Sequence, residues 1–108
     1  MTIAKEKIKL KNLLIPLTPI EEYSEADMEI LDDCYRQYST IIKVLFKTYP
    51  NVFANLHNHD LREIKDNKKF VKESFSDQAR QNNFVVYKES IEQAIDRTLS
   101  YIVDYLPH

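Results

Sequence analysis

None of the 108 residues is glycine. Glycine reaches positive backbone φ without penalty, and two-residue hairpins, bulges and phosphate-cradling loops are built on it. Its absence disfavours a turn-rich β fold and any nucleotide-binding loop of the glycine-rich type. Helices joined by asparagine-containing turns are the natural alternative.

The hydrophobic pattern agrees. Met28, Leu31, Tyr35, Tyr38, Ile42, Leu45 and Tyr49 recur at alternating steps of three and four, the α-helical period. Glu29, Asp33, Arg36, Thr40, Lys43 and Lys47 lie between them as a solvated face, so a long helix is expected over about 25–49. Seven acids and no lysine or arginine lie between Thr18 and Asp33, whereas Arg36, Lys43 and Lys47 follow, an order that complements the helix dipole. Either Thr18 with Pro19 and Glu21, or Ser24 with Asp27, has the form of a capping box at its start.

Ile30, Cys34, Ile41 and Val44 fall beside or opposite the main stripe, and Phe46 widens it. A helix apolar around more than half its circumference belongs inside a bundle or carries a subunit interface. Its length, roughly 37 Å at about 1.5 Å per residue, exceeds what a compact monomer of this size covers. Both arguments point to a homodimer, with a twofold arrangement the simplest closed form.

Residues 1–17 read as a basic, apolar arm. Lys5, Lys7, Lys9 and Lys11 face a single acid, Glu6, and Ile8, Leu10, Leu13, Leu14 and Ile15 supply the apolar part. Ile8 and Leu10 alternating with lysines suit an edge strand; Ile3, Lys7, Leu10 and Leu14 suit a short amphipathic helix. Pro16 and Pro19 are expected to break any regular element there, because each removes a backbone donor and biases its predecessor toward extended geometry. The arm either packs on its own bundle, near the acidic block, or exchanges with a second subunit.

Pro50-Asn51 ends the long helix and opens a short one over about 52–58, with Val52, Phe53 and Leu56 as its apolar face. Leu61, Ile64, Val71, Phe75 and Ala79 then space a helix over about 60–81, in which Lys68 takes an apolar slot and Asp66 to Lys69 suggests a bend. Asn82-Asn83 is the next turn signal, asparagine being the best substitute for glycine at a left-handed helix end. Phe84 to Tyr87 has strand propensity, but helix is favoured there for want of a strand partner. Ile91, Ile95, Leu99, Ile102 and Leu106 line a last helix over about 84–106, ended by Pro107. The fold expected is all-α: a small helical bundle with three long helices, one short helix and the arm (1–17) preceding a single bundle domain (18–108).

Functional chemistry is sparse. A net charge of −2 and interleaved acids disfavour nucleic-acid binding. The one cysteine, Cys34, excludes an intramolecular disulfide, and no apolar run suits a signal core or a membrane span, so a cytoplasmic protein is expected. No catalytic motif can be assembled from spacing; no enzyme activity and no cofactor are expected.

The leading expectation is a non-enzymatic protein-binding module, an adaptor, inhibitor or immunity-type factor, acting through helix faces as a homodimer. Ile30, Ile41, Val44, Tyr101 and Tyr105 are its candidate contacts, since apolar and tyrosine side chains suit interface cores. One alternative is a nucleic-acid-binding regulator using Lys5, Lys7, Lys9 and Lys11 with Arg62, Lys65, Lys68, Lys69 and Lys72. Another is a metal-dependent enzyme around His57, His59 and Glu63, where His59 and Glu63 are four apart and can share a ligand.

Overall fold

The computed structural model describes residues 3–106, all of whose regular elements are helices. They are α1 (Ile3–Leu17), α2 (Glu25–Thr48), α3 (Pro50–Asn55), α4 (Leu61–Lys72) and α5 (Asp77–Tyr105), with one π-helical turn over Leu56–Asp60. The chain is all-α, as the glycine-free composition and the apolar spacing lead one to expect. No described residue has positive φ, so every loop is closed without a left-handed residue.

The amphipathic stripe of α2 is buried as its spacing demands: Met28, Leu31, Tyr38, Ile42 and Leu45 are core residues, with Tyr35 and Tyr49 packed at the edge. Of the two candidate caps, Ser24 is the one used, its extended backbone letting Oγ accept from the Asp27 amide at 3.0 Å. Thr18 instead donates to the Leu14 carbonyl at 2.8 Å at the end of α1.

The basic arm is helix α1, and it continues through Pro16 to Leu17. Pro16 lies in the last turn, where the missing N–H removes one bond to the Asn12 carbonyl but interrupts nothing downstream. Packing compensates: Leu10, Leu13 and Leu17 enter the same core as α2 and α5, while Ile8 is exposed. In this chain the arm therefore packs on its own bundle.

Two boundaries differ from the sequence expectation. Asn82 and Asn83 are inside α5, and the turn falls at residues 73–76. Ser76 caps α5 by accepting from the Ala79 amide at 3.0 Å, while Asn83 Nδ2 reaches back to Ser74 Oγ at 3.0 Å and Phe70 O at 3.3 Å. The asparagine thus fastens the preceding turn rather than making one. Phe75, placed by spacing on the apolar stripe, is in the turn and fully exposed, at 104%. The second difference is that Asp66 to Lys69 continue α4 without a bend. Lys68 fits its slot because its Nζ lies 3.7 Å from Asp32 Oδ1 and 5.8 Å from the Tyr35 ring centre. Pro107, expected to end the last helix, lies outside the described residues.

Helices α4 and α5 run antiparallel, Asn83 meeting Phe70 and Arg97 meeting Asp60, and contacts at rising numbers on both partners show that α2 and α5 run parallel across the bundle. Tyr87 Oη donates to Asp32 Oδ1 at 2.7 Å, and Tyr38 Oη lies 2.8 Å from Thr98 Oγ1. Helix α5 is the spine, touching every other element, whereas α1 touches neither α3 nor α4. Its 29 residues span roughly 43 Å by helical rise. The bundle is accordingly drawn out to 47 × 24 × 18 Å, and α2 finds packing partners in every other helix of the same chain. Helix length therefore gives no reason to invoke a second subunit.

Candidate functional site

Three inter-helix surfaces carry the residues singled out by sequence. The first is an open groove of about 730 Å³ between α1 and α2, lined by Leu13 and Pro16 from one wall and Ala26, Ile30, Cys34 and Ile41 from the other. Its rim is charged, with Lys9 on the α1 side and Glu29 and Asp33 on the α2 side. Ile30 is 37% exposed, and Val44 is 40% exposed, on the Ile30–Gln37 face by the seven-residue spacing. Ile41 is buried at 5% and forms floor rather than free surface. Tyr101 and Tyr105 belong elsewhere: they pack edge to face with centroids 5.3 Å apart, and Tyr101 lines a recess against the π turn. The five candidate contacts thus do not share one surface: Ile30 and Ile41 line the α1–α2 groove, Tyr101 lines the recess, and Val44 and Tyr105 are exposed outside both.

Cys34 forms part of the groove floor, its Sγ 3.8 Å from the Leu13 carbonyl. Burial, with the Asp33 charge adding to it, pushes the thiol up to about 11. A nucleophilic thiol needs the opposite shift. The side chain acts as a small apolar group under α1.

The second surface is the recess at the π turn. The Leu61 amide bonds to the Leu56 carbonyl, five residues back, which accommodates one extra residue while α3 and α4 stay a continuous right-handed helix. Phe53, Leu56, Asp60 and Ile64 then share the inward face, so a carboxylate takes a core position. Asp60 is 5% exposed and faces Arg97 of α5, whose Nη1 lies 3.2 Å from Oδ2 and 3.4 Å from Oδ1. Burial pushes the Asp60 carboxyl above the usual carboxylate range, opposed by Arg97, reinforced by Glu63 and opposed again by His59. His59 Nδ1 stands 4.0 Å from Asp60 Oδ1.

Of the sequence-derived trio His57, His59 and Glu63, the structure brings together the last two and turns His57 away. The His57 ring stacks on Phe46 at 4.2 Å between centroids, and its Nδ1 lies 2.7 Å from Asn58 Oδ1. The third member is Asp60, whose donor atom lies with those of His59 and Glu63 inside a 4.8 Å span. A signal for it existed in the sequence. Read as one helix, Phe53, Leu56, Asp60 and Ile64 follow steps of three and four, with Asp60 on the core stripe.

The third surface lies between α2 and α4. Two adjoining recesses share Tyr35, Lys65 and Asp66; between them they are lined by Lys43, Arg62, Lys65, Lys68, Lys69 and Lys72, with Asp66 and Glu73 as the acids. Lys5, Lys7, Lys9 and Lys11 are on α1, which does not touch α4, so the two lysine sets are separate.

Sequence reasoning missed a polar clamp on the α1–α2 loop. Gln81 Oε1 accepts from the Tyr23 amide at 2.6 Å while its Nε2 donates to Glu21 O at 2.9 Å, and Lys88 Nζ bonds to the carbonyls of Thr18 and Ile20. Periodicity carries no trace of such side-chain-to-backbone contacts.

Comparison with protein-family models, curated proteins and solved structures finds no match for this chain.

Proposed function

We propose that this chain is a non-enzymatic protein-binding module that self-associates as a homodimer through its α1–α2 side. One observation carries the reading: an open groove with an apolar floor of Leu13, Cys34 and Ile41, beside which Ile30 and Val44 stand partly exposed. Ile30, Cys34, Gln37, Ile41 and Val44 follow each other at steps of four and three, the spacing of helix-to-helix seams. The rim bears both signs, Lys9 opposite Glu29 and Asp33, so a twofold copy can meet each charge with its opposite. An adaptor, inhibitor or immunity-type role uses the same surface toward a different chain. A reducing cytoplasmic setting suits the single buried thiol.

Light scattering on the full chain at about 100 µM tests this. A dimer that becomes a folded monomer on Ile30→Lys with Val44→Lys is the expected result. A wild-type monomer at that concentration removes the homodimer, and a dimer indifferent to both substitutions removes this surface.

A second reading, nucleic-acid binding, is favoured by the basic strip between α2 and α4: six lysine and arginine side chains against two acids in a chain of net charge −2. Duplex DNA or RNA binding that weakens steeply with salt and is lost on Lys65→Glu with Lys72→Glu would support it. Absence of binding at low salt eliminates it.

A further inference from the structure

We infer that His59, Asp60 and Glu63 form a site for a divalent transition-metal ion, with zinc as the best-matched ion. The inference is independent of the protein-binding reading. It starts from a mismatch in the core. The Asp60 side chain is 7% exposed, and among the described residues its Oδ2 is the buried side-chain oxygen or nitrogen that takes part in no hydrogen bond.

Arg97 gives the carboxylate a countercharge but a poor fit. Guanidinium–carboxylate pairs reach their strength through two nitrogens on two oxygens at about 2.7–2.9 Å. Here a single nitrogen, Nη1, stands 3.2 Å from Oδ2 and 3.4 Å from Oδ1, on a side chain that is 48% exposed. The site holds a positive charge without binding it closely.

His59 and Glu63 complete the donor set from the same stretch of helix. Their ligand atoms and that of Asp60 lie within 4.8 Å of one another. Zinc bonds of about 2.0–2.2 Å to nitrogen and oxygen set tetrahedral neighbours roughly 3.3–3.6 Å apart, so closure requires side-chain movement of about 1–1.5 Å. The His59 side chain is 80% exposed and Glu63 is an exposed residue, and both are free to make that movement. One imidazole with two carboxylates suits zinc better than calcium or magnesium, which favour oxygen alone. Solvent supplies the remaining ligands from the recess of about 250 Å³ that His59, Asp60 and Arg97 line.

An entering cation competes with Arg97 for Asp60, and that competition gives the test its sharpest arm. Zinc titrated into the full chain and followed by calorimetry is expected to bind at one equivalent. His59→Ala and Glu63→Ala, both at exposed side chains, should each weaken binding by at least about tenfold. Arg97→Gln, which removes the competing charge, should tighten it. Absence of zinc binding up to about 1 mM overturns the site. Binding that is unchanged in both His59→Ala and Glu63→Ala, or weakened in Arg97→Gln, overturns it as well.

Discussion

Tyr38 and Tyr87 are fully buried, yet each keeps its hydroxyl by bonding across the α2–α5 diagonal. Burial raises both phenols above their ordinary range, so each stays a neutral hydroxyl. Tyr38→Phe should cost about 1 kcal/mol in urea unfolding, because Thr98 Oγ1 retains its bond to the Ala94 carbonyl and is not orphaned. At Cys34 the raised thiol and burial both suppress reactivity. Alkylation of the native protein at about pH 8 should therefore be far slower than that of the urea-unfolded chain, as read by intact mass.

Asp60 makes a pH prediction at the same scale. Its folded-state carboxyl is raised, so the folded protein holds the proton more tightly than the unfolded chain does. That contribution is fully present below the unfolded value near about 3.9 and is lost as pH rises through the folded one. Stability of Asp60→Asn relative to wild type should therefore shift in favour of the variant as pH rises across the carboxylate range. Paired urea melts measure the difference, and a difference that moves in favour of wild type as pH rises would contradict the buried-carboxylate account.

At the scale of elements, two long helices start on serine caps. Ser24 and Ser76 both have extended backbone and both accept from the amide three residues on, at 3.0 Å. Ser24→Ala and Ser76→Ala should each lower unfolding free energy by about 1 kcal/mol. The π turn admits a different experiment. Because the Leu61 amide reaches back five residues to Leu56, deleting the exposed Asn58 turns that bond into an ordinary α-helical one and leaves the flanking apolar faces in phase. Such a variant should keep full helical circular dichroism and cooperative unfolding; loss of cooperativity would mean that the π turn holds the bundle together.

For the molecule as a whole, α1 is the element whose status matters most. Leu10, Leu13 and Leu17 share a core with Leu31, Ile42 and Ile95, so the arm is the first helix of the bundle. Removing residues 1–17 should expose that core and abolish a cooperative thermal transition. A truncated chain that melts cooperatively would show that the other helices suffice. A large-to-small change at the spine, Ile91→Ala, should cost about 2–5 kcal/mol because the side chain is fully buried.

The all-α class and the face α2 buries were legible because both rest on local rules: no glycine for tight turns, and a 3.6-residue period in the apolar positions. The start of α2 was narrowed by the same local rules to two candidate caps, at Thr18 and Ser24, of which the structure uses Ser24. Interactions between distant residues decided the rest. Asn83 bonds to Phe70 and Ser74 and so lies inside a helix that its type argued against. Lys68 holds an apolar slot because Asp32 and Tyr35 stand across from it, and α1 passes through Pro16 because its leucines have a core to enter. The candidate metal site divides the same way. His59 and Glu63 were paired by helical spacing, whereas the burial of Asp60 opposite Arg97 exists only once α5 is laid beside the π turn. A local pattern fixes which face a helix will bury, but what waits opposite that face is set by the packing of segments far apart in the chain.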